Sequence, residues 1–152
     1  MRRAALMAVL LAATLGGGCN SNDDTTFFDA ILSPDNEVPA RASSASGVAR
    51  LTFDGTTVTY IILVSNLNNI TAAHIHSAAA GVIGPVRVPF FTGPTTSISQ
   101  GTLVEGSFTA SDVTGIDFNT LLDEMRAGTA YVNVHSTTYP GGEIRGQTRL
   151  LN

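Results

Sequence analysis

The sequence predicts an all-β sandwich or barrel that carries one short helix. Three features carry that expectation. From Phe27 onward, short runs alternate apolar and polar residues, the period of a strand with one face buried. Turn formers punctuate those runs, with 15 glycines and 6 prolines in 152 residues. A single segment has helical spacing instead. A hydrophobic share of 43% with only 13% charged residues suits one compact β-rich domain rather than a disordered chain.

The elements follow in order. "FFDAILS" (Phe27 to Ser33) reads as a first strand, closed by the turn-forming "PDN". "GVARLTF" (Gly47 to Phe53) places Val48, Arg50 and Thr52 on one face and Ala49, Leu51 and Phe53 on the other. Asp54-Gly55 is a hairpin signal, and "TTVTYIILVSNL" after it is a long strand rich in β-branched residues. Ile70 to His76 is a short extended piece. Val86 to Phe91 is another, where Pro89 calls for an edge or a bulge. Thr102 to Thr109 adds a strand. Phe118, Leu121, Leu122 and Met125 then fall on one face of a helix, with Asp117 placed as its N-cap and Gly128 as its stop. Tyr131 to His135 and Glu143 to Leu150 form a final antiparallel pair around a "YPGG" loop.

The amino terminus reads as an address. Two arginines precede the apolar run Ala4 to Leu15 and then three glycines, the layout of a secretory signal over residues 1–18. A dozen apolar residues fall short of the roughly 20 that span a bilayer. Cys19 is the only cysteine, so it has no intramolecular disulfide partner. Its place resembles the lipobox of bacterial lipoproteins, in which the thiol takes a diacylglyceryl group, although Gly16 stands where a leucine is usual. Residues 19–26 then make a lipidated cysteine and flexible tether, and 27–152 the folded domain. The expectation is export to the cell envelope, with attachment to the outer membrane where a cell has two. Ordinary signal-peptidase cleavage is the alternative.

Charge narrows the partners. All eight basic residues are arginines; without Arg2 and Arg3, six face twelve acidic residues, a net charge of −6. An acidic chain with no basic run argues against nucleic acid, whose binding requires positive charge to replace counterions.

Two of the three histidines occur one residue apart, in "AAHIHSAAAGVIGP". On a strand His74 and His76 share a face while Ile75 points inward. His135 shares its face with Tyr131 and Asn133, opposite Val132 and Val134. Where those strands pack together, three imidazoles can hold zinc or copper and leave a fourth position open. The alternative is that the rings serve as hydrogen-bonding groups tying the Ser77–Pro85 loop to the sheet.

Five stretches stand in order along the chain: "LSPDNEVPA" from Leu32, the "G-x-A" strand at Gly47, the block Leu67 to Val86 containing "ITAAHIH" and "GP", "AGTAYVNVHS" from Ala127 and "PGGEIRGQ" from Pro140. In these the chain resembles a known family, the CHRD domain, named for chordin and found in many bacterial secreted proteins. Ala40 and Ser77 depart from the commonest residues at their positions. The resemblance implies a β-rich, immunoglobulin-like sandwich or barrel and little about activity; with the second likeness below, the expected fold is an immunoglobulin-like or superoxide-dismutase-like Greek-key β-sandwich or barrel. A second likeness is to the copper ligands of copper–zinc superoxide dismutases, for which His74, His76 and His135 would stand. The bridging histidine, the zinc ligands and the paired cysteines have no counterparts here, which argues against a dismutase.

No enzyme signature stands out. There is no nucleophile-elbow G-x-S-x-G and no phosphate loop. Glu37 and Glu143 are a candidate carboxylate pair with nothing to fix their separation, and Glu143 and Arg145 read as a structural same-face pair. The expected function is a non-catalytic envelope module whose ligand is a protein or an envelope polymer, met by the loops Ser77–Pro85 and Tyr139–Gly142. The alternative is a copper- or zinc-binding, redox-active domain built on His74, His76 and His135.

Overall fold

A computed structural model describes residues 25–151. The expected signal segment, Cys19 and most of the tether lie outside these residues. Within them the all-β expectation holds. Seven strands form one nearly closed, barrel-like sheet: β1 Thr26–Leu32, β2 Ser46–Phe53, β3 Val58–Ser77, β4 Val86–Phe108, β5 Ala130–Ser136, β6 Ile144–Gln147 and β7 Arg149–Leu151. The neighbours run β6-β5-β3-β2-β1-β7, with β4 paired to β3. One helix, α1 (Phe118–Ala127), sits between β4 and β5.

The long β3 organises everything else. Its first half pairs with β2 from Val58 to Ser65, its second half with β5 from Ile70 to Ser77, and β4 accompanies both halves. The sequence predicts two strands here, broken after Leu67. The structure joins them, because Asn66 and Asn69 adopt left-handed backbone conformations with φ of 55° and 51°. Asparagine tolerates that region better than other non-glycine residues. Each such residue resets the inward–outward alternation, so Val64, Leu67 and Ile70 are buried at three-residue intervals, and a further register shift between Ile70 and Ala72 buries Ala73. β4 likewise merges two expected strands, with matching register shifts opposite β3. Pro89 occupies the expected kind of place: the register shifts beside it, and β4 pairs with no described strand other than β3.

The last expected strand is divided instead of continuous. Thr148 is buried and its hydroxyl bonds to the carbonyls of Met125 and Ala130, which turns the chain from β5 towards β1. β6 pairs with β5 and β7 with β1. Ser33 and Arg145 close the seam between β1 and β6 through reciprocal backbone bonds of 3.1 and 3.2 Å. Gly146 permits that closure, since a Cβ there would lie 2.2 Å from the carbonyl oxygen of Ile31.

The core is the inward face of these strands, including Phe28, Leu32, Leu51, Ile62, Ile75, Phe108, Val132, Val134 and Ile144. Helix α1 closes it with Leu121, Leu122 and Met125. Its ends are those the sequence predicts. Asp117 accepts a 2.9 Å bond from the Thr120 amide, and Gly128, at φ 71°, lets the Thr129 amide reach Glu124. No helix among the described residues is long and apolar enough to cross a membrane.

Candidate metal centre

The register of β3 against β5 assembles the histidines. Ala72 stands opposite His135, His74 opposite Asn133 and His76 opposite Tyr131. These six residues therefore share one face of the sheet, while Ala73, Ile75, Val132 and Val134 fill the core. One nitrogen from each of His74, His76 and His135 lies within 4.8 Å of the other two. Three atoms so placed fit inside a circle of about 2.8 Å radius, against nitrogen–metal bonds of roughly 2.0–2.1 Å. Modest side-chain rotation suffices to bring them to one ion.

The outer ring nitrogens decide what the inner ones offer. His76 Nδ1 is 2.9 Å from the carbonyl oxygen of Gly84, and His135 Nδ1 is 2.9 Å from that of Pro140. A carbonyl only accepts, so both Nδ1 atoms donate and each neutral ring presents its Nε2 lone pair inward. Such backbone carbonyls are the usual partners that orient histidine ligands. His74 Nδ1 lies 3.1 Å from His135 Nε2 and is the donor of that pair. The neutral His74 ring then carries its lone pair on Nε2. His76 Nε2 is buried with no hydrogen-bond partner.

Electrostatics keep the rings neutral, the state a ligand requires. Burial, reinforced by His135 and His76, pushes the His74 pKa down to about 4. Burial also lowers His76, against the opposing Gly84 bond, and lowers His135, against the Pro140 bond. No carboxylate belongs to the cluster. An all-imidazole set suits zinc or copper and does not suit magnesium or calcium, which take oxygen ligands.

On the polar side of β5, Tyr131 and Asn133 are as buried as the core. Two segments cover them. The loop after β3 lies over Tyr131, with the Gly84 amide bonded to its hydroxyl and the Val82 carbonyl accepting from Arg145. The segment after β1 brings Glu37 Oε1 to within 2.6 Å of Asn133 Nδ2. Tyr131 is stacked between the His76 ring (4.7 Å, 8° between planes) and the Arg145 guanidinium (3.9 Å).

The two loops expected to form a ligand patch thus supply the carbonyls that anchor His76 and His135. Glu143 and Arg145 make no ion pair with each other. Glu143 precedes β6, so strand alternation does not extend to it; its carboxylate accepts from Ser43 and Ser136, while Arg145 turns to Tyr131 and Val82. Glu37, the other candidate acid, is nearly buried, and desolvation raises its pKa to about 7 despite the opposing charges of Arg145 and Arg41. It lines a cleft of about 510 Å³ with Arg145 and Asn36, and none of the histidines borders that cleft. Cys19 lies outside the described residues. Alternation alone did not reveal Glu37, Gly84 or Pro140 as partners of the histidine face. Their signal was the motif blocks "EVP", "GP" and "PGG", which the fold gathers around that face.

No curated protein and no solved structure matches the chain. A family model described as "CHRD domain" matches residues 28–148, which spans the barrel from β1 to the end of β6. The chain belongs to the CHRD domain family.

Proposed function

We propose that this CHRD domain is an exported, non-catalytic module of the cell envelope that holds one zinc or copper ion on His74, His76 and His135. The observation that carries this reading is the convergence of the three ring nitrogens within 4.8 Å, two of them fixed in the ligating tautomer by Gly84 and Pro140. Three protein ligands leave a coordination position open. With copper, that arrangement also permits a change of oxidation state. Full-length protein dialysed against zinc or copper should retain one equivalent by elemental analysis, and the His74→Ala variant should retain none. Wild-type protein that emerges without metal contradicts the reading.

Export and anchoring rest on the amino-terminal pattern and Cys19. Palmitate labelling of cells that disappears in Cys19→Ser supports a lipid anchor, and an unlabelled mature protein beginning elsewhere removes it. A second reading, binding of a protein or an envelope polymer, is favoured by Val82 and Ile83, which are 52% and 70% exposed on the loop that covers Tyr131. Co-sedimentation with cell-wall polymer or envelope protein that fails in Ile83→Ser would support it.

A further inference from the structure

Among the described residues, two buried side-chain polar atoms have no hydrogen-bond partner: His76 Nε2 and Asn133 Oδ1. Both belong to the same face of the β3–β5 pair. Asn133 stands directly opposite His74 and two residues before His135. Each orphaned atom offers a lone pair, and each is costly when buried without a partner. They ask for different things. An imidazole nitrogen is a good donor to a metal, whereas a carboxamide oxygen accepts a proton donor.

The orientation of the amide is set from behind. Asn133 Nδ2 donates to Glu37 Oε1 at 2.6 Å, which leaves the amide oxygen on the other branch. Gly142 packs against this pair so closely that a Cβ would lie 2.5 Å from Asn133 Nδ2 and 2.7 Å from Glu37 Oε1. The amide is held with its acceptor free.

We propose that Asn133 accepts a hydrogen bond from a water molecule in the open coordination position, and so makes the site prefer protic ligands to bare anions. This rests on the metal reading above. A hydrated ion satisfies both orphaned atoms together: the ion takes the His76 lone pair, and an O–H of its water donates to Asn133. A bare anion in that position has no proton to give and meets the lone pairs of the amide oxygen. Asn133 is thus a positioning residue for the exogenous ligand, itself positioned by Glu37.

The test uses full-length protein loaded with one equivalent of Cu(II) and titrated with azide, followed by the azide-to-copper charge-transfer absorbance. Asn133→Leu should keep its copper and bind azide about tenfold more tightly than the wild type, the effect of removing one charge-assisted hydrogen bond. Glu37→Gln, which frees the amide to turn, should shift azide affinity in the same direction by a smaller factor and guards against a misfolded leucine variant. Equal azide affinity in all three copper-loaded proteins would overturn the proposal and leave Asn133 Oδ1 to a buried water unconnected with metal. Wild-type protein that holds no copper fails at the loading step and overturns the metal reading along with it.

Discussion

His74 Nδ1 lies 3.1 Å from His135 Nε2, although 61 residues separate them in the chain. The contact exists because β5 returns beside the second half of β3 in a register that sets His135 against Ala72 and Asn133 against His74. A one-residue slip of either strand would send its histidine side chains to the core face. Loss of either ring should therefore abolish tight metal binding. His74→Ala and His135→Ala, at half-buried positions, should each weaken zinc affinity by more than the roughly 10–100-fold typical of outer-shell partners, with little change in thermal stability. Isothermal titration and a thermal melt on the same samples check this.

The carbonyl of Gly84 offers a separate handle, because it orients His76 without touching metal. A Cβ at Gly84 would lie 1.9 Å from the carbonyl oxygen of Ser77, so Gly84→Ala must displace the loop. The His76 Nδ1 bond should break, and zinc affinity should fall by about 10–100-fold while the barrel core remains folded. Calorimetry beside a far-ultraviolet dichroism spectrum distinguishes this from unfolding.

Glu37 sets a pH dependence of the opposite sense from the histidines. Its folded pKa of about 7 stands above its ordinary 4.5, so the folded state binds more protons between those values. Stability from this group is full below about pH 4.5 and declines as pH rises through 7. The buried histidines, whose pKa values are lowered, lose stability as pH falls below 6.5. Comparing wild type with Glu37→Gln isolates the carboxyl. The variant should match wild type near pH 4.5 and become more stable by about 3 kcal/mol above pH 7, the energy of a rise from 4.5 to about 7. Urea titrations at four or five pH values read the difference.

The seam between β1 and β6 predicts a stability effect remote from the histidines. With the Ile31 carbonyl 2.2 Å from any Cβ at position 146, Gly146→Ala must part Ser33 from Arg145. The barrel should lose about 3 kcal/mol or more, at the upper end of ordinary single substitutions. An unchanged urea midpoint would refute the close approach.

Much of this architecture was legible because local signals and burial agree. Val132 and Val134 alternate with Tyr131 and Asn133, and the core keeps the valines. Asp117 and Gly128 bracket α1 by capping chemistry that operates within a few residues. The joining of β3 was not legible, since "SNLNN" carries the composition of a loop and only long-range pairing with β4 shows the asparagines to be bulges. The shared face of His74, His76 and His135 could be read strand by strand, but not the register that brings them together. The carbonyl partners were out of reach for a simpler reason: every residue has a carbonyl, and only the path of the covering loops selects Gly84 and Pro140.

The most direct measurement of the central claim is the X-ray absorption spectrum of the full-length protein after loading with one equivalent of zinc. The arrangement predicts three nitrogen scatterers near 2.0 Å, with the outer-shell signal of imidazole rings, and one further light atom. A first shell of oxygen alone, without imidazole scattering, or a spectrum unchanged by His76→Ala, would contradict it.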